Sequence, residues 1–146
     1  MAPPKQIMIA VPQPLLEADW IQKVFKVLSI IQLIACASLV MASSIWIQIY
    51  GYNFTHGCGI WTGLIFGING AIGLFVAKEP SKCNLIALVV MSIVSILCSL
   101  ILISQGGILG LFGVPIGITY FIIGLVEAVN VITTAVLSCQ VICCGR

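Results

Sequence analysis

The chain has 146 residues, of which 61% are hydrophobic and 7% charged, with a mean hydropathy of +1.24 and a net charge of +2. Soluble domains carry roughly 25% charged residues, so a water-soluble globular fold is excluded and one small membrane domain is what this length accommodates. The positive charge flanks apolar segments, which suggests contact with anionic lipid and not nucleic acid.

Residues 1–14 contain Pro3, Pro4, Pro12 and Pro14 and no charged-then-apolar run ending in small residues. They read as a disordered or PPII-like tail and not as a cleavable signal peptide. Residues 15–146 read as a single transmembrane domain. Within Leu15–Lys26, the residues Leu16, Trp20, Val24 and Phe25 recur near helical spacing. This suits either a short amphipathic helix on the inner leaflet or an extension of the first span.

The first span is expected at Val27–Ile49, which rises about 34 Å as a helix. Lys23 and Lys26, with Trp20, mark its inner edge; Trp46 and Tyr50 mark its outer edge. The second span, Ile60–Ala77, ends at Lys78-Glu79-Pro80, and this hinge runs through Lys82. Leu85–Ile103 is the third span, followed by an outer turn at Gln105-Gly106-Gly107. Ile108–Cys144 is too long for one helix at ordinary tilt. Gly110, Gly113, Pro115 and Gly117 crowd its first third, so Gly106–Gly117 reads as an apolar outer loop or short broken helix. The fourth span then covers Ile118–Val141.

Lys5, Lys23, Lys26, Lys78, Lys82 and Arg146 lie before the first span, between the second and third, and after the fourth. The connections around Tyr50–Gly59 and Ser104–Gly107 contain no Lys or Arg. Because Lys and Arg are retained on the cytoplasmic side, the expected fold is an all-α integral membrane bundle of four transmembrane helices with both termini cytosolic. A plasma-membrane or endomembrane location follows.

Burying Leu drives little association inside a bilayer, so small residues and hydrogen bonds must hold the helices together. Gly59, Gly63, Gly67 and Gly70 line one face of the second span; Ser92, Ser95 and Ser99 repeat the spacing in the third, and Ala35, Ser38 and Ala42 in the first. The first three helices are thus expected to form the packing core. The glycine stripe serves either this packing or a homodimer surface.

Glu127 is the only ionisable acid or base inside an expected span, and such a group belongs against protein or water. Tyr120, Gly124, Glu127, Asn130 and Thr134 share one helical stripe, and Asn69 in the second span is the obvious partner. In one reading Glu127 is protonated and donates a hydrogen bond to Asn69, a backbone carbonyl or Asn130, docking the fourth helix. In the other, oligomerised copies surround a polar path where Glu127 attracts a cation.

Asn53-Phe54-Thr55 is an N-glycosylation sequon in the expected outer loop, although close to the membrane. His56 beside it reads as a solvated loop residue, with no ligand cluster for a metal. Of the seven cysteines, only Cys58 is expected on the oxidising side, leaving a free thiol or an intersubunit bridge. Cys143 and Cys144 suit S-palmitoylation, followed by Cys83 and Cys139; inert thiols are the alternative.

From Gln22 to Cys144 the chain resembles the membrane-spanning 4-domains subfamily A, which includes the B-lymphocyte surface antigen and the beta chain of the high-affinity IgE receptor. The likeness rests on Lys26–Gln32, on Trp61-Thr62-Gly63 followed by Phe66 and Gly70, and on Lys82-Cys83. It continues through Met91-Ser92-Ile93 with Ser95, and through Glu127 followed by Cys139 and Cys143-Cys144. The resemblance implies a non-enzymatic four-helix protein that forms a homo-oligomer, with a dimer expected first, or a hetero-oligomer with a membrane receptor. Its role would be accessory or regulatory. The alternative is a cation (calcium) conduit or a regulator of calcium influx. Tyr50, Tyr52 and Tyr120 fall outside or within the bilayer, so direct phosphotyrosine signalling is not expected. No nucleophile–base pair, metal set or phosphate loop supports an enzyme, and no cofactor or nucleic-acid partner is expected.

Overall fold

In hydrocarbon every backbone polar group must be satisfied within its own segment, which leaves helices as the solution for a chain this apolar. The computed structural model describes residues 19–51, 54–79 and 81–144, and of residues 54–56 and 144 the backbone only. Four helices make up nearly all of it: α1 Asp19–Tyr50, α2 Phe54–Lys78, α3 Lys82–Leu111 and α4 Pro115–Cys144. All four are long and apolar enough to cross a membrane. The chain is an all-α, integral, multi-pass membrane protein. The expected tail at residues 1–14 and the Asn53 sequon lie outside the described residues.

At 32 residues, α1 is about 48 Å long, well beyond the ~30 Å hydrocarbon core. Its first two turns carry Asp19, Gln22, Lys23 and Lys26. From Asp19 onward this segment is therefore a continuous extension of the first span and not a separate surface helix. Three residues separate each helix from the next.

The helix ends follow from local chemistry. α1 stops at Gly51, which takes φ 81° and donates its N–H to Ile47 O at 2.9 Å, the αL cap that glycine permits. Ser81 caps α3, its side chain accepting from the Asn84 N–H at 3.2 Å. Between α3 and α4, Gly113 has φ 72° and donates to Gly110 O, while Val114 donates to Leu109 O, both at 3.0 Å. This pair of bonds is a Schellman cap. Pro115 then opens α4 at the one position where its missing N–H is harmless.

Here the structure corrects the sequence reading. Gly106–Leu111 is helical and belongs to α3, and the turn is only Phe112–Val114. Gly106 and Gly117 are contact points between two backbones: a Cβ on Gly106 would fall 2.5 Å from Phe121 N, and one on Gly117 would strike Gly110 N.

Packing is closest between α1 and α2 and between α3 and α4, looser between α2 and α3, looser again between α1 and α4, and slight between the remaining pairs. The bundle is thus two antiparallel hairpins placed side by side, in contrast to the three-helix core expected from sequence. Gly59, Gly63, Gly67 and Gly70 all pack against α1, meeting Ser43, Val40, Cys36 and Ser29 respectively. On α1 the packing face runs through Ser29, Gln32, Ala35, Leu39 and Ser43; Ser38 is exposed, its hydroxyl bonded to Ile34 O.

Two apolar clusters fill the bundle. One, at the end where α1 begins, contains Ile21, Phe25, Val76, Leu85, Leu88 and Val141. The other contains Leu39, Phe66, Cys98, Leu102, Ile116 and Tyr120. In every helix, the residues between these clusters include buried polar ones.

Candidate functional site

That polar band draws on all four helices: Ser29 and Gln32 from α1, Asn69 from α2, Ser92 and Ser95 from α3, and Glu127, Asn130 and Thr134 from α4. Helix register brings them to one depth. Gly73 meets Leu88, so one turn along the antiparallel pair Asn69 comes level with Ser92. Gly70 packs on Gln32 Cβ at 3.2 Å, which sets Gln32 beside the Asn69 level. Asn130 Nδ2 donates to Leu28 O at 3.1 Å; one turn further from the start of α1 on each helix places Gln32 level with Glu127.

The band divides into two kinds of group. Hydroxyls of Ser29, Ser99, Thr134 and Ser138 donate to carbonyls four residues back in their own helices, at 2.7–2.9 Å. Those donors are spent. By contrast, Gln32 Nε2, both amide atoms of Asn69, the Ser92 and Ser95 hydroxyls, both Glu127 carboxyl oxygens and Asn130 Oδ1 are buried with no hydrogen-bond partner. The Asn130 amide nitrogen is given to Leu28 O, and neither Glu127 oxygen is bonded to it. The expected direct bond from Glu127 to Asn69 is likewise not formed.

Glu127 is 0% exposed and points into its own bundle, not toward the lipid-facing surface where another copy would meet it. The two apolar clusters close the band off toward both ends of the bundle. What the site offers chemically is one carboxyl group, amide oxygens and hydroxyls, all hard ligands suited to protons, water or an oxygen-loving cation. Among the described residues no group of three or more His, Cys, Asp or Glu side chains converges on a metal position.

The stripe of Tyr120, Gly124, Glu127, Asn130 and Thr134 is buried along its whole length. Sequence reasoning missed Gln32, whose signal was an amide well inside an apolar span, the same signal that identified Asn69. It also missed the link between Tyr120 and Ser43, whose hydroxyls are 2.8 Å apart with Gly59 packed over both. Tyr120→Phe is expected to lower stability by about 1 kcal/mol, read as an earlier thermal midpoint in detergent. Cys58 is half-buried and unpaired, and Cys83, Cys139 and Cys143 are exposed. The Cys144 side chain lies outside the described residues.

Residues 27–109 match the model of the CD20-like family. The chain belongs to that family. The matched region runs from α1 almost to the end of α3, so it includes Gln32, Asn69, Ser92 and Ser95 of the band, while Glu127 and Asn130 lie beyond it. None of the curated proteins or solved structures matches the chain. For this CD20-like chain the membership agrees with the four-helix membrane architecture and with the resemblance drawn from its motifs.

Proposed function

We propose that this CD20-like protein is a non-enzymatic accessory or regulatory subunit that assembles, with itself or with a membrane receptor, inside the bilayer. The observation that carries the reading is the three-residue length of every connection between helices. Such short connections offer little surface of their own, so partners are met through the outer faces of the helices. Because the α2 glycines are already packed on α1, assembly is assigned to lipid-facing surface such as Trp61, Leu64, Ile68 and Phe75, which share one exposed side of α2. Purification in a gentle detergent or directly into nanodiscs should yield a homo-oligomer or a stable complex with a receptor. A strictly monomeric protein with no co-purifying partner overturns the proposal.

A second reading is favoured by the unpartnered oxygens of Glu127, Asn69 and Asn130: the protein conducts a cation or regulates calcium influx. Conduction requires the two apolar clusters to part. Reconstituted protein that gives no current, together with cells that gain none on expressing it, rejects the conduit form.

A further inference from the structure

The end of the bundle where α1 begins and α2 ends carries a cavity of about 460 Å³, within the size range of small-molecule sites. Lys23 and Lys26 of α1 and Lys78 of α2 converge on it, with Asp19 and Gln22 beside them. Leu74 and Ala77 of α2 supply an apolar wall. Asp19 accepts an ion pair from Lys23 at 2.6 Å, whereas Lys26 and Lys78 have no carboxylate partner among the described residues. The lining therefore holds three ammonium groups against one carboxylate.

Lys23 also borders a second groove, of about 210 Å³, lined otherwise by Val24, Val27 and Leu28 and wholly apolar. A basic cavity thus adjoins an apolar groove along the side of a transmembrane helix. That is the division of an amphiphile: a charged head among the lysines, a hydrocarbon chain beside the valines. Free phosphate would use the first half only. Basic pockets between helices on the cytoplasmic side are suited to phosphorylated lipid headgroups, and the distribution of Lys and Arg assigns this end to the cytosol.

We propose that this α1–α2 cavity is a binding site for an anionic phospholipid carrying a phosphomonoester. Lys26 and Lys78 hold the phosphate, Lys23 is shared between headgroup and Asp19, and an acyl chain lies along Val24, Val27 and Leu28. The site is separate from the polar band and does not depend on the accessory role.

The test is native mass spectrometry of the full chain in detergent, titrated with dioctanoyl phosphatidylinositol 4-phosphate, dioctanoyl phosphatidylserine and dioctanoyl phosphatidylcholine. Inositol 1,4-bisphosphate and inorganic phosphate serve as headgroup-only probes. The expected result is one tightly held phosphomonoester lipid per protomer, weaker phosphatidylserine binding and weaker phosphatidylcholine binding still. Each of Lys26→Gln and Lys78→Gln should weaken the phosphoinositide by about fivefold and the double variant by about twentyfold, with Lys82→Gln, which removes the same charge outside the cavity, changing it less than twofold. Unchanged secondary structure and elution confirm that the variants are folded. Equal loss in Lys82→Gln, binding of the headgroup-only probes as tight as that of the lipid, or no preference over phosphatidylcholine overturns the proposal.

Discussion

Valine in place of Gly106 is expected to destabilise the protein by about 3 kcal/mol or more, a larger loss than overpacking usually brings. The reason is what surrounds the new side chain. A Cβ there would fall 2.5 Å from Phe121 N, 2.7 Å from Gly117 O and 2.9 Å from Phe121 Cα, all backbone atoms. Side-chain clashes relax by rotamer changes, but backbone contacts relax only by moving a helix. α3 would have to withdraw from α4 along the closest seam of that hairpin. Gly107 supplies the control, since a Cβ on it meets nothing within 4 Å; Gly107→Val should stay within about 0.5 kcal/mol of the parent. Gly67→Ala is intermediate, its Cβ approaching only the Cys36 side chain at 2.9 Å. The measurement is thermal or denaturant unfolding in detergent, and equal losses at Gly106 and Gly107 would show that α3 and α4 do not approach this closely.

The same glycines explain what was legible in the sequence. Span number followed from apolar length and lysine placement, because in a bilayer those two quantities constrain the backbone directly. The outer end of the fourth segment was misread because glycine carries two meanings in a membrane helix. Gly113 with Pro115 is true punctuation, a left-handed cap followed by a helix-opening proline. Gly106 and Gly117 sit inside helices and mark where backbones touch. Composition alone does not separate these roles; the order does, with the cap glycine two residues before a proline. On α1, Ser38 drew attention to the wrong face, since it satisfies its own hydroxyl within the helix and is exposed, while Ala42 is only half-buried. Gln32 on the packed face was passed over because a neutral amide weighs less than a charge in a hydropathy profile, although burying its Nε2 without a partner is also costly.

For the polar band, the sharpest expected result is a difference between two single substitutions at Glu127. Glu127→Gln should leave folding and surface expression within about 1 kcal/mol of the parent, because the amide keeps the shape and hydrogen-bonding capacity of a protonated carboxyl group. Glu127→Lys should abolish a monodisperse, folded protein. It places an ammonium group at a position 0% exposed, and among the described residues no other acid lies in the interior of the bundle: Asp19 is exposed at the start of α1, and Glu79 is exposed just after α2. An uncompensated buried charge costs about 3–5 kcal/mol, a large share of the stability of a small domain. Two apolar clusters separate the site from both ends of the bundle, so water has no open route to relieve that charge. Size-exclusion profiles and surface labelling of the two variants give the readout. If the lysine variant is as well folded as the glutamine variant, the band is in contact with water, and the clusters do not close it. If instead Glu127→Gln reaches the surface normally but removes a cation current carried by the parent, Glu127 acts on an ion, and the conduit reading displaces the accessory one.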